Sequence, residues 1–560
     1  MAPKHLLLAL CVTSLTNAQT QTQIDALRSY LQSIQNKAAA SLAVINSPSR
    51  PTNWQQLINA DLGGIESLAD QARAAMSQVT TRSTSVPAGM SLQEALNAAQ
   101  PGDTLILTAG AEYRGNFILP HKIGTGVITI TSSRLSELPS DGQRVTPSNR
   151  YLMPRLVSPN DMAALAAAPG AHHYRIVGVE LTTAAGMYNG GIVRLGHGSE
   201  TVASALPHDI ELDRVYIHGD PAVGSKRGVT MNGKALTVRN SWISDFKSSI
   251  QDAQAICGWN GPGPFTILNN YLEATGENIM FGGAEPALAG VTPSDITISG
   301  NHIRKPLQWR GTLGIKNLLE LKTGRRVLIS GNIIENNWLS LQIGYAIVIK
   351  PGSENIRTPA ITSDITISNN IVRHAAGGIN VVGRNTTGGY VKTLSIRNNL
   401  FDDIGTNWGS SLSLFTFQAG VTGIIIENNT ATRAATLNTA LQFDGAPGSN
   451  CLIRSNILDR GDYGIKGSGT AEGTATMNKY CPGATVTNNV IYGAGSNSAL
   501  YPALNYFPLL AAEISWQNAA AGDVQLRADS LYKAKGAGGR DPGVDYAALT
   551  AATAHTLSGR

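Results

Sequence analysis

Ile298-Ser299-Gly300-Asn301, Ile329-Ser330-Gly331-Asn332 and Ile367-Ser368-Asn369-Asn370 repeat one phrase, an apolar residue followed three positions later by asparagine. The phrase also closes on Asn270, Asn399, Asn429, Asn456 and Asn489, so that eight asparagines follow one another at intervals of 27 to 38 residues. Weaker copies run upstream through Ser241, Val215, Val179 and Ser133. A period of roughly 30 residues with alternating apolar positions means a solenoid, because one such turn has a β-face too small to bury itself. Turns stacked about 4.8 Å apart form parallel strands around a continuous core. The expected fold is all-β, a parallel β-helix of about 12 turns over residues 91–510. At the bend of each turn, an inward Asn can bond its amide to the equivalent Asn above and below, where water has no access. The eight asparagines are therefore assigned to structure and not to chemistry.

Composition agrees. The chain has 560 residues, with 59 Gly, 25 Pro and 6% aromatics, which suits many turns and small-residue packing. Lys and Arg total 43 against 38 Asp and Glu, and only 14% of residues are charged, so a nucleic-acid partner is not expected. Residues 1–18, with Lys4, the apolar run Leu6 to Val12 and Ala18, read as a secretory signal, and the run is too short to span a membrane. The expected location is outside the cytoplasm: periplasmic, extracellular or on the cell surface. Residues 19–80 carry apolar positions at three-to-four spacing, Ile24, Leu27, Leu31, Ile34 and then Trp54, Leu57, Ile65 and Leu68, which predicts two helices. Residues 81–90 read as a linker, and residues 511–560 as a closing segment shielding the last turn. Export makes Cys451 and Cys481, 30 residues or one repeat apart, the expected disulfide, with Cys257 left as a buried free thiol.

The opening Ala98-Ala99-Gln100-Pro101-Gly102-Asp103-Thr104-Leu105-Ile106-Leu107 and the Ile-Ser-Gly-Asn turns resemble the secreted right-handed parallel β-helix proteins of the pectin-lyase-like fold. The segment from Lys316 to Lys322, with Arg326 to Asn332 and Glu335 to Trp338, also resembles a bacterial family of β-helix repeat proteins with no assigned reaction. The resemblance implies a right-handed helix, a polysaccharide partner and a groove along the outside of one sheet.

Two rows of residues fall at equivalent places on neighbouring turns. Lys322, Lys350 and Arg384 stand near the same strand end on three successive turns, a basic ladder suited to an acidic polysaccharide. Alternation sets Lys316, Glu320 and Lys322 on one face of their strand, with Asn317, Leu319 and Leu321 on the other. Glu320 is then either the salt-bridge partner of the lysines or a general acid/base. Trp309, Trp338 and Trp408 follow Asn301, Asn332 and Asn399 by eight, six and nine residues, and aromatic faces in a row suit the apolar faces of sugar rings. The alternative for both rows is a set of stack caps and solvated strand ends.

The reaction that fits best is β-elimination of a uronate, with Lys316, Glu320, Lys322 and Lys350 as catalytic candidates and Arg384, Trp309, Trp338 and Trp408 as substrate-binding candidates. The resemblance admits Ca²⁺ as a cofactor held by carboxylates, although Glu277, Glu285, Glu320 and Glu335 show no compact calcium-ligand spacing. Two alternatives stand beside it. One is an inverting glycoside hydrolase, for which Asp402-Asp403, Gly196-His197-Gly198, His302 and His374 are the residues to watch. The other is a non-catalytic carbohydrate-binding or structural rod.

Overall fold

The structure is a computed structural model that describes residues 21–46, 51–57, 59–61, 64–65, 67–68, 82–352, 358–432 and 436–559. The signal-peptide reading lies outside the described residues, as does the end of the second predicted helix. Two compact units divide the chain, residues 1–83 and 84–560. The first contains the predicted helix, Gln21–Asn46. A short helical run follows it, and Asp61 on that run accepts from Ser41 Oγ at 3.0 Å and lies 3.7 Å from Lys37 Nζ. Among the described residues no helix is long and apolar enough to cross a membrane.

The second unit is a right-handed parallel β-helix. Its strands fall into three parallel sheets of 14, 13 and 12 strands, here the first, second and third sheets, and apart from the first strand, which pairs with the next, each strand pairs with the strand three places later in the chain. One turn contributes a strand to each, as in Gly324–Ser330, Ile333–Asn337 and Tyr345–Ile349. Register is held by stacked apolar residues. In the first sheet Ile296, Val327, Ile365, Leu394 and Ile424 pair in sequence, as do Ile298, Ile329, Ile367, Ile396 and Ile426, and all are at most 2% exposed. Each such side chain stabilises the fold by about 2 to 3 kcal/mol through burial. The expected 12 turns match the third sheet. The first sheet is two strands longer because Thr485–Thr487 follows the last third-sheet strand and because Ser83–Val86, read from sequence as linker, is its opening strand, with Val86 fully buried. A Ser/Thr-rich segment looks like a linker, but alternation of Thr84 and Val86 suffices for an edge strand.

The asparagines form the ladder the spacing predicted. Asn270 donates its backbone N–H to Asn301 Oδ1 at 2.8 Å and its Nδ2 to the same oxygen at 3.0 Å, and also to Val238 O at 2.9 Å. The pattern repeats through Asn301, Asn332, Asn370, Asn399, Asn429, Asn456 and Asn489, each completely buried. Asn489 in turn donates to Asn505 Oδ1, a rung the sequence hid because it follows after only 16 residues. Just before each ladder Asn the chain takes a left-handed residue, among them Asn269, Gly300, Gly331, Asn369, Asn398, Asn428, Ser455 and Asn488 with φ between 52° and 68°. Asn and Gly tolerate that conformation, which explains the Gly-Asn and Asn-Asn pairs.

The C-terminal residues do more than shield the last turn. After the antiparallel pair Trp516–Asn518 and Asp523–Leu526, the chain runs back along the bends. Asn488 donates to Lys535 O, Gly543 donates to Ser455 O, Asn428 donates to Gly543 O, Asn398 donates to Asp545 O, and Thr556 donates to Gly331 O. Beyond that, Arg144 donates to Thr556 O at 2.9 Å and to Asn269 O at 2.9 Å. A Cβ at Gly331 would stand 2.7 Å from Ala552 O, so glycine is required there by the close passage of this strap as well as by φ +68°. Cys451 and Cys481 are disulfide-bonded, Cys481 ending the helix Thr474–Tyr480 that leads into the next turn, and Cys257 is free and buried.

On the outside of the second sheet, Glu335 lies 2.8 Å from His302 Nε2 and 2.7 Å from Arg373. Burial pushes this carboxyl up, but His302 and Arg373 outweigh it and hold it at about 2, below its ordinary 4.5. A depressed folded pKa contributes stability that is present above 4.5 and is lost as pH falls towards 2. Glu335→Gln should therefore cost up to about 3 kcal/mol at neutral pH, with the gap to the native chain closing on acidification in urea unfolding. Asn332→Ala leaves the buried backbone N–H of Asn301 without its acceptor and the carbonyls of Ile298 and Ser330 without the Asn332 donor, and should cost about 3 kcal/mol or more in the same assay.

Candidate functional site

Leu319–Leu321 is a central strand of the third sheet. Leu319 and Leu321 point into the core and are fully buried, so Glu320 between them faces outward, in register with Met280 and Val348 on the flanking turns. It is nevertheless fully buried, beneath its neighbours' side chains. Leu321 pairs with Ile349, which places Lys322 and Lys350 one above the other, and their Nζ atoms lie 3.7 and 3.4 Å from Glu320 Oε1. Asn317 Nδ2 donates to Glu320 Oε2 at 3.2 Å. Lys316 Nζ sits 2.6 Å from Asp252 Oδ2. The four residues chosen as catalytic candidates are thus one cluster. The face assignment for Glu320 and Lys322 holds, whereas Asn317, expected on the opposite face, reaches Glu320 because it lies before the strand, where the alternation does not apply.

The cluster contains a second buried carboxyl that sequence reasoning had left among scattered acids. Glu277, on the preceding turn and fully buried, accepts from Gln254 Nε2 at 3.0 Å and lies beside Glu320. Two neighbouring carboxyls resist ionising together. Burial pushes Glu320 up and Glu277 adds to this, against the pull of Lys322 and Lys350. Burial acts on Glu277 in the same sense, but Lys322, Gln254 and Lys316 outweigh it and keep it below the ordinary carboxylate range. Glu320 is therefore the weaker acid of the two, and Lys316, Lys322 and Lys350 stand between the pair and solvent. Under it, Lys305 is completely buried and donates to the carbonyls of Ala274 (2.7 Å), Gly276 and Asn317 (3.2 Å), its pKa lowered to about 7 by burial against the pull of Glu277.

Two expectations need correction. Arg384 lies two residues beyond Val382, past the position level with Lys350, where it is exposed and bridges to Tyr390, so the basic ladder has two rungs. The irregular turn after Val382 moved it out of line. Trp309, Trp338 and Trp408 are only 5, 5 and 8% exposed and pack with Ile315 and Ala376 in one apolar cluster. They cap the stack and do not offer open ring faces, although Trp338 and Trp408 contribute to a cleft of about 390 Å³ with Arg310 above Trp408 at 5.1 Å.

Among the hydrolase residues, His197 and Gly198 donate their N–H groups to Glu200 in a turn, and His302 belongs to the Glu335 network. Asp403 is better placed. It accepts from His374 Nδ1 at 2.9 Å, Trp408 Nε1 at 2.8 Å and Asn407 Nδ2 at 2.7 Å. With Asp402, Thr432 and Trp516 it lines a cavity of about 610 Å³.

Similar stacking occurs in an alginate lyase. That protein, from a Paenibacillus species, is 16% identical, with a TM-score of 0.34 over 65% of this chain and 99% of its own. The tailspike of Escherichia coli bacteriophage HK620, in complex with a pentasaccharide, is 12% identical, with a TM-score of 0.33 over 74% of each chain. A family 28 exopolygalacturonase from Yersinia enterocolitica is 12% identical, with a TM-score of 0.29 over 77% of this chain and 79% of that one. No protein-family model matches the chain, and no curated protein does. At these scores the similarity carries no argument about reaction or substrate, and the fold rests on the strand register above.

The upward shift of Glu320 has a measurable consequence. An acid whose pKa is raised on folding loses stability as pH rises above its unfolded value, here 4.5. Glu320→Gln keeps the shape and removes that slope, so urea unfolding should show the variant gaining on the native chain as pH climbs from 4.5 to neutrality.

Proposed function

We propose that the protein acts on an acidic polysaccharide by β-elimination at the Lys316, Lys322 and Lys350 patch. The observation that carries the reading is the convergence of Lys322 and Lys350 on Glu320, with Glu277 beside it, on the outer face of the third sheet. Lys316, Lys322 and Lys350 are partly exposed and reach solvent, whereas Glu320 does not. The lysines touch substrate, and Glu320 with Glu277 positions them.

In this scheme the uronate carboxylate lies against one lysine, which neutralises it and stabilises the enolate formed when the adjacent C–H proton leaves. The second lysine takes that proton after releasing its own to solvent. The electron pair of the C–H bond becomes the new C=C bond, the glycosidic C–O bond breaks, and the departing oxygen is protonated by the lysine that had become ammonium or by water. The products are one unsaturated uronate end and one new reducing end. Carboxylates that could hold a Ca²⁺ ion, the cofactor the resemblance admits, are already engaged here by lysines or by each other, so no step is assigned to a metal.

A second reading is favoured by the 610 Å³ cavity, where Asp402, Asp403 and His374 would serve hydrolysis. Incubation of the purified protein with a panel of acidic and neutral polysaccharides, with unsaturated uronates and reducing ends followed together, separates the two. Elimination predicts both signals together, lost by about 100-fold or more in Lys350→Met and Lys322→Met and kept in Asp403→Asn. Reducing ends without unsaturation, lost in Asp403→Asn, would overturn it in favour of hydrolysis. Polymer binding with neither signal would make the molecule a carbohydrate-binding rod.

A further inference from the structure

Four of the ten histidines, His121, His172, His173 and His208, gather at the solvent end of two strands of the first sheet, His172–Val177 and His208–Asp213. His172 and His208 are register partners and their rings stack, 4.7 Å apart and 12° from parallel. The next residue on each strand, His173 and Asp209, is left-handed, with φ 57° and 53°. Such a residue breaks the two-residue alternation, so two consecutive side chains leave the core side instead of one. The same break recurs one turn on at Ala235, and further along at Asp295, Arg326, Asp364 and Thr393. The fold therefore accepts many residues at this position, and the histidines answer to something other than packing.

One ligand atom from each of His173, His208 and Asp209 lies within 4.8 Å of the other two. The surrounding hydrogen bonds orient the rings. His172 Nδ1 and His173 Nδ1 are 2.6 Å apart, so one donates and the other accepts, and His208 Nδ1 is 2.6 Å from Asp209 Oδ2. The charged side chain on the following turn is Lys234, the register partner of His208, and it is exposed.

We infer that His173, His208 and Asp209 bind a divalent transition-metal ion of the zinc class on the outer surface of the first sheet. Two imidazoles and a carboxylate match the donor preference of Zn²⁺ and leave a fourth position for water. The ion displaces the proton held between His208 and Asp209. His172 is a positioning residue, fixing the ring of His173 through their shared hydrogen bond. The site lies on a different sheet from the lysine cluster and does not depend on the reaction assigned there.

The test uses the full chain, stripped with a chelator, re-equilibrated with Zn²⁺ and analysed for bound metal, with Co²⁺ as a visible-spectrum probe. One equivalent of Zn²⁺ is expected. His173→Ala and His208→Ala should each weaken binding about 100-fold or more, His172→Gln by about 10-fold to 100-fold, and His197→Ala, on another loop, not at all. Circular dichroism checks that each variant is folded. No uptake of Zn²⁺ by the folded native chain, or undiminished uptake by a folded His173→Ala/His208→Ala double variant, would overturn the assignment.

Discussion

The hydrogen bond from each ladder asparagine to the next is the constraint on which the rest of the molecule depends. A parallel stack must turn the chain sharply at the end of every first-sheet strand, and those turns bury backbone groups where no water reaches them. The asparagine amide answers both needs: its Nδ2 satisfies carbonyls of its own and the preceding turn, and its Oδ1 accepts from the turn before. Because each rung fixes the height of its neighbour, the ladder also fixes the register of the isoleucine stacks. The register in turn sets which residues of the third sheet lie side by side, and so brings Lys322 level with Lys350.

The outer face of the third sheet shows what such a stack permits. Residues far apart in sequence become neighbours at one strand spacing, so charges can be assembled by placing one on each turn. Here the assembly is layered: Lys305 at the bottom, the carboxyl pair Glu277 and Glu320 above it, and Lys316, Lys322 and Lys350 at the surface. Buried ions of one sign are costly unless compensated within a few ångströms, and each layer compensates the next. The geometry of the lysines is thereby fixed from beneath.

Much of this was legible in the residues. The asparagine phrase gave the solenoid and eight of its rungs, and strict two-residue alternation through Leu319, Glu320 and Leu321 was enough to predict the outward face. What escaped lay wherever the period was interrupted. Glu277 and Glu320 are separated by a long excursion between turns, so nothing in their spacing showed that they touch. Arg384 sits just after a strand, where a one- or two-residue slip decides position. The tryptophans follow the asparagines at regular intervals, but regular spacing does not distinguish a row facing solvent from one folded under it. The strap left no periodic trace at all, because its partners are the left-handed residues at the bends of many turns.

That strap alters the kind of object the solenoid is. A plain stack of repeats is a chain of nearest-neighbour contacts, in which a middle turn can loosen without consulting the ends. Here residues near position 144 and residues near position 488 are held by one continuous stretch of backbone. A middle turn cannot loosen without also disturbing that stretch, so distant turns are coupled directly as well as through the turns between them. The stretch closes the stack along its bends, and a chain cut within it would be a helix left open along its seam.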